Sequence, residues 1–307
     1  MGTPEFAATI LQHLVENQIT VAAVVTVPDK PAGRGQKLMS SAVKLYAESQ
    51  QLPILQPEKL KDDAFLTQLA SYQADLFVVV AFRMLPEVVY TMPPLGTINL
   101  HGSLLPQYRG AAPINRAVMN GETETGVTTF FIEKEIDTGK IIQRKAMPIG
   151  ENETAGEVHD RMMHLGAEVT LTTVQQLFEG SAEGIDQDAF IKGELNAAPK
   201  IFKPDCKIDW QQDAQTVHNF IRGLSPYPTA WTVWPANGNK TIKLFSSLIA
   251  PFDVANTPGT VAIKDGKFYV QCQQGAIEIL EAQLEGKKRL SAKEFINGNG
   301  IDGGVLG

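Results

Sequence analysis

Two short runs, Val21 to Val27 and Leu76 to Ala81, are almost wholly apolar and show no polar alternation. A strand with one wet face alternates, so runs of this kind belong to strands covered on both faces. Helix-length segments lie between such runs, and a further strand is expected at Gly126 to Ile132. Strands alternating with helices specify a parallel sheet flanked by helices, here up to about residue 150.

The texture then changes. Thr154 to Glu157 reads as a capping box opening a long helix with Val158, Met162, Leu165, Val169 and Leu171 approximating one apolar face, ended by Gly180. Residues 181–200 are polar, small and weakly periodic, as in a linker. After a helix near Asp213 to Arg222, five short strands are expected at Trp231–Trp234, Thr241–Phe245, Thr260–Ile263, Phe268–Cys272 and Ala276–Leu280. Five close-spaced strands suggest a small barrel. The expected division is therefore 1–180, a linker at 181–200, and 201–307.

The turn Gly2-Thr3-Pro4 has the character of a strand-to-helix connection, yet no strand precedes it in this sequence. An open α/β sheet normally begins with a central strand feeding such a turn, so either the true start lies upstream or something else fills that place. The backbone N–H groups at this helix start are candidates for an anion or polar ligand group.

Composition narrows the class. The 307 residues are 43% hydrophobic and 20% charged, a globular composition. No apolar run reaches the roughly 20 residues of a membrane span and no basic-then-apolar leader opens the chain, so a cytoplasmic location is expected. Cys206 and Cys272 have no metal-ligand or redox spacing and are expected to be buried apolar residues. Formal net charge is −7, but residues 1–199 carry −9 and residues 200–307 carry +2. A nucleic-acid partner held by bulk charge is disfavoured, while a basic face on the C-terminal part stays open.

The chemistry concentrates in Asn99-Leu100-His101-Gly102-Ser103-Leu104-Leu105-Pro106-Gln107-Tyr108-Arg109-Gly110, followed by Asp137-Thr138-Gly139. Asn99 and His101 are two apart on a strand and share a face. The strand approaches its carboxyl end, where open α/β sheets bind ligands. An amide and an imidazole there suit an oxyanion developing on a carbonyl, and a carboxylate beside the imidazole orients it and moves protons. No serine or cysteine stands in an activated context, which favours direct transfer to an amine over an acyl-enzyme. From spacing alone, a strand end with local backbone hydrogen bonds and an ordinary Asp-Thr-Gly turn explain the same residues equally well.

Two basic groups stand apart: Lys30, Arg34 and Lys37 in a Gly/Pro-rich loop, and Lys287, Lys288 and Arg289. Either is long enough to reach a phosphate backbone, and either fits a merely solvated segment. His159 and His164 are five apart and align no metal, and His13 and His218 lie in helical patterns without evident partners.

Taken together, Gly2 to Phe6, Pro28 to Arg34, Asn99 to Pro113, Glu124 to Val127, Asp137 to Gly139, Ile208 to Trp210, Ile221 to Pro228 and Gly286 to Lys288 closely resemble the methionyl-tRNA formyltransferases. The shared Asn-x-His with a downstream Asp marks the wider folate-dependent formyltransferases. The resemblance implies an α/β, Rossmann-like formyltransferase domain joined to a C-terminal OB-like β-barrel that binds tRNA. It implies transfer of the formyl group of 10-formyltetrahydrofolate to methionyl initiator tRNA, with no metal, by a monomer. It carries catalytic roles onto Asn99, His101 and Asp137. Folate contacts fall to Ser103, Leu104, Leu105 and Pro106 and to Phe82 and Met84, in a loop with Arg83 where glycine is frequent. The two basic groups become tRNA contacts. A small-amine formyltransferase, a formate-releasing hydrolase and an inactive RNA-binding module are the rival readings. The barrel-like third disfavours the first, and the intact Asn99, His101 and Asp137 disfavour the last.

Overall fold

The computed structural model describes residues 1–32, 37–301 and 303–307. The chain forms two compact units, the first from residues 1–110, 126–147 and 160–197, the second from 111–125, 148–159 and 198–307.

In the first unit, β1 (Val24–Val25) pairs in parallel with β2 (Ile54–Leu55). A four-stranded sheet follows, in the order β3 (Phe77–Val80), β4 (Thr97–His101), β5 (Glu124–Phe131), β6 (Ile141–Pro148). β3 and β4 are parallel, and β4 and β5 antiparallel. The two unalternating runs are indeed β1 and β3, with Val24, Val25, Phe77, Val79 and Val80 buried. Helices Glu5–Glu16, Ala42–Ser49 and Asp63–Ser71 contribute Ile10, Leu14, Val43, Ala47, Phe65 and Leu69 to the interior. Ser41 and Asp62 cap two of them, each accepting a backbone N–H at 3.1 Å.

The sheet lies in two parts. A cavity of about 610 Å³, lined in part by Leu14, Val21, Val24, Tyr72, Phe77 and Val78, separates β1 from β3. Of the seven residues predicted, β1 keeps strand pairing over two. Gly2 ties the two parts at one end of the gap. Its N–H donates to the Val25 carbonyl at 3.0 Å, and the Val80 N–H donates to the Met1 carbonyl at 3.0 Å. A Cβ on residue 2 would collide with the Ala7 side chain and the Val80 carbonyl, so the close approach demands glycine. The Gly2 N–H is thus a sheet donor rather than part of an anion site.

In the second unit the five expected strands all form: β7 (Ala230–Trp234), β8 (Lys240–Ala250), β9 (Val261–Lys264), β10 (Lys267–Gln271) and β11 (Ala276–Leu284). They lie antiparallel in the order β7-β8-β11-β10-β9, and β12 (Leu290–Ser291) joins β11. The chain's last residues connect the two edges. Gly307 exchanges hydrogen bonds with Val233 of β7, while Gly304 accepts from Val261 of β9 and Leu306 donates to Gly259. This tail closes the sheet on itself, which removes exposed strand edges. Inside lie Ile242, Leu244, Ile277 and Ile279, with Phe268 stacked on Phe295 of the last helix at 6.0 Å. Cys206 and Cys272 are buried and free, and burial pushes the Cys272 thiol up to about 12.

The long helix spans Ala155–Glu179. Thr154 and Glu157 form its capping box, and Gly180, at φ +70°, stops it. Helix Ala214–Gly223 is capped by the Asp213 carboxylate. Within it His218 corrects the expectation that it lacks partners: Nδ1 lies 3.1 Å from the Ser247 hydroxyl and Nε2 3.4 Å from the Glu151 carbonyl. Both partners are remote in sequence, so the helical pattern around His218 carries no trace of them.

Burial, reinforced by the nearby Arg222 guanidinium and opposed by Glu151, holds the His218 imidazole below its ordinary pKa. The folded state therefore favours neutral His218, and its contribution is complete above about pH 6.5 and lost as pH falls below it. Urea-unfolding stability is expected to decline from pH 7 to 5, and His218→Gln to flatten that decline. An unchanged pH dependence in the variant would contradict the assignment.

Candidate active site

β4 brings the key side chains to its carboxyl end. In its ladders Asn99 lies between Val79 and Phe130, and His101 lies opposite Thr128. Asn99 is half-buried and His101 only 6% exposed, edge-on to the Phe130 ring at 6.4 Å.

The imidazole is fixed by the turn that follows. His101 Nε2 lies 2.8 Å from the Tyr108 carbonyl oxygen. A carbonyl only accepts, so Nε2 carries the hydrogen and Nδ1 is left as the nitrogen that gains or gives up a proton. That carbonyl is aimed by a tightly built turn. Thr128 Oγ1 donates to the Ser103 carbonyl at 2.7 Å and accepts from the Leu105 N–H at 3.1 Å. Ser103 Oγ donates to the Gln107 carbonyl at 2.6 Å, and Tyr108, at φ +61°, donates its N–H to Asn196. Leu105 anchors the turn against Phe130 and Ile141.

Opposite Nδ1, at 3.8 Å, stands Asp137 Oδ2. The loop that carries it leaves β5 and returns to β6, and Asp137 sits in the left-handed region at φ +56°. Its Oδ2 accepts the Gly110 N–H at 2.9 Å. Gly139 lies so close under the Phe131 carbonyl that any Cβ would collide with it. The sequence signal of an Asp-Thr-Gly turn is thereby explained.

One residue of this assembly went unnoticed in the sequence. Gln187, buried at 4% exposure in the segment read as a linker, donates Nε2 hydrogens to the Asp137 carbonyl at 2.8 Å and the Gly139 carbonyl at 2.9 Å. Its Oε1 accepts from Arg109 Nε at 3.0 Å and from a terminal guanidinium nitrogen at 2.7 Å. A glutamine among polar residues has no periodicity or motif to announce it.

Of the remaining predicted residues, Ser103, Leu105 and Pro106 are buried in the turn and Leu104 is half-buried. Met84 is 73% exposed, and Phe82 is half-buried with the Arg83 guanidinium 5.5 Å from its ring centre. Arg83 donates to the carbonyls of Pro57 and Glu58, which fastens this loop to the preceding one. Lys30 is exposed on a short hairpin, Lys30–Ala32 with Lys37–Met39. Arg34 and the side chain of Lys37 lie outside the described residues. Lys287 and Lys288 are exposed in the second unit, where Arg289 pairs with Glu281 and lies 4.2 Å from the Phe245 ring centre. Among the described residues no three His, Cys, Asp or Glu side chains cluster as metal ligands, and no helix is long and apolar enough to cross a membrane.

Residues 1–174 match the family described as Formyl transferase, and residues 200–300 match Formyl transferase, C-terminal domain. A methionyl-tRNA formyltransferase of Bacteroides fragilis is 52% identical over 303 residues, covering 97% of this chain and 93% of the relative. That of Flavobacterium johnsoniae is 46% identical over 299 residues, covering 97% and 94%. Among solved structures, the sugar 3N-formyltransferase WlaRD, determined with dTDP and 5-N-formyl-THF, has a TM-score of 0.64 at 20% identity, covering 94% of this chain and 97% of that one. HypX from Aquifex aeolicus, in complex with tetrahydrofolic acid, has a TM-score of 0.62 at 18% identity, covering 92% and 48%. At these identities the two structures establish the shared fold.

The Nε2–H assignment of His101 is open to a direct check. Nitrogen-15 NMR is expected to find the hydrogen of the neutral imidazole on Nε2. A lone pair on Nε2 would mean that the Tyr108 carbonyl does not orient the ring.

Proposed function

This chain belongs to the methionyl-tRNA formyltransferases, and we propose that it transfers the formyl group of 10-formyltetrahydrofolate to the α-amino group of methionyl initiator tRNA through Asn99, His101 and Asp137. The observation that carries this reading is the imidazole–carboxylate pair at the carboxyl end of β4, with Nδ1 and Asp137 Oδ2 3.8 Å apart and Asn99 on the same strand face.

The neutral amine attacks the formyl carbon, a new C–N bond forms, and negative charge collects on the formyl oxygen. The Asn99 amide donates to that oxygen, as does Nδ1–H of His101 when it holds a proton. Donors fixed in place before charge develops act without reorganisation. The attacking nitrogen must lose a proton and N10 of the folate must gain one as its bond to the formyl carbon breaks. Asp137, half-buried and facing Nδ1, takes the first proton and passes it by way of His101 or water. Neither step requires a metal.

The folate is proposed to lie along the turn built by Ser103, Leu105 and Pro106, against the apolar surfaces of Leu104, Phe82 and Met84. The catalytic domain is proposed to lie within residues 1–180, with 185–190 packed on it, and the tRNA-binding one within residues 201–307. Lys30, Arg34 and Lys37 together with Lys287, Lys288 and Arg289 are the proposed phosphate contacts. The local charge of +2 beyond residue 199 favours this arrangement, within an overall acidic chain that acts as a cytoplasmic monomer.

The test is formyl transfer to methionyl initiator tRNA by Asn99→Ala. Loss of one oxyanion donor is expected to lower kcat about 100- to 1,000-fold with folate binding preserved. An unchanged kcat would remove Asn99 from the chemistry.

A further inference from the structure

We propose that Gln187 is the positioning residue for the Asp137 carboxylate, locking the proton-handling loop in its working conformation from a segment that sequence reads as a linker. The inference rests on the reading of Asp137 given above and extends it to a residue 50 positions away.

Four hydrogen bonds define the Gln187 amide, and their chemistry admits one orientation. Arginine only donates, so the amide oxygen faces Arg109; the carbonyls of Asp137 and Gly139 only accept, so the nitrogen faces them. Every hydrogen-bonding direction used is matched, and the group is buried, where an unmet donor or acceptor is costly.

The target of this clasp is a loop that needs one. Asp137 holds a left-handed backbone that a residue with a Cβ adopts reluctantly. Its neighbour Ile136 is 59% exposed and adds little packing. The two carbonyls that Gln187 grips flank Thr138, so both ends of the turn are held at once. A second link runs in parallel: Arg109 orients Gln187, and the next residue, Gly110, donates its N–H to the Asp137 carboxylate. The side chain of one residue and the backbone of the next therefore act on the backbone and carboxylate of the same aspartate.

The clasp is itself anchored. Ile185 exchanges two backbone hydrogen bonds with Ile141 of β6, each 2.8 Å. Gln187–Phe190 forms a short 3-10 turn whose Phe190 packs on the Leu105–Phe130–Ile141 cluster and lies 4.6 Å below the Arg144 guanidinium. Residues 185–190 are thus a fixed brace on the catalytic loop.

Two variants separate the hydrogen bonds from bulk. Gln187→Met keeps length and removes all four bonds; Gln187→Glu keeps the acceptor for Arg109 and sets an acceptor against two carbonyls. Both are expected to lower kcat about 10- to 100-fold with KM for tRNA and folate changed less than about threefold, since a displaced catalytic group costs rate rather than binding. The decisive comparison is with Asp137→Asn. If Gln187 acts through Asp137, Gln187→Met is expected to cost less than about twofold once Asp137 is already neutralised. Equal cost in both backgrounds would make Gln187 a general structural residue and overturn the proposal, as would wild-type kcat in both Gln187 variants. Should Gln187→Met fail to fold, Gln187→Glu carries the same comparison. Full activity of Asp137→Asn would instead overturn the reading of Asp137 on which the proposal depends.

Discussion

The site is organised around one hydrogen bond, from His101 Nε2 to the carbonyl of Tyr108. It fixes the ring's tautomer and rotation together, and it thereby decides which nitrogen faces Asp137. Everything that aims the Tyr108 carbonyl then matters to the chemistry: the Thr128 hydroxyl bridging Ser103 and Leu105, the Ser103 hydroxyl on Gln107, and the burial of Leu105. The Ser103–Pro106 segment thus has a structural duty to the imidazole besides any contact with substrate. A sheet strand supplies the histidine, and the turn after it supplies the histidine's orientation.

Asp137 is held by a different principle. Its loop is not packed but clasped, through a glycine pressed against the Phe131 carbonyl, a backbone donor from Gly110 and the buried amide of Gln187. Hydrogen bonds to backbone carbonyls fix the loop's path. The loop of Asp137 is positioned by polar contacts, whereas His101 is placed by a sheet strand and oriented by the Tyr108 carbonyl.

Much of this was legible in the sequence, and for physical reasons. Unalternating runs such as Leu76 to Ala81 fit strands covered on both faces, and on a strand a separation of two places Asn99 and His101 on one face. Thr154 and Glu157 announce their helix because a capping box is local. What stayed hidden depends on partners brought in from afar. Gln187 reaches Asp137 across 50 residues, and His218 meets Ser247 and Glu151 across 29 and 67. The tail from Gly303 to Gly307 has no strand pattern of its own, yet it closes the C-terminal sheet because two edges await it. Polar residues in irregular segments carry no period, so their roles emerge only once the fold has placed them.

The central claim is that the imidazole of His101 and the carboxylate of Asp137 work as one proton-handling unit in formyl transfer. The most direct test is the single-turnover rate of His101→Asn with saturating 10-formyltetrahydrofolate and methionyl initiator tRNA. A fall of about 100-fold or more, with dissociation constants for both substrates within about threefold of wild type, is the predicted result. A single-turnover rate equal to that of the wild type would contradict the account.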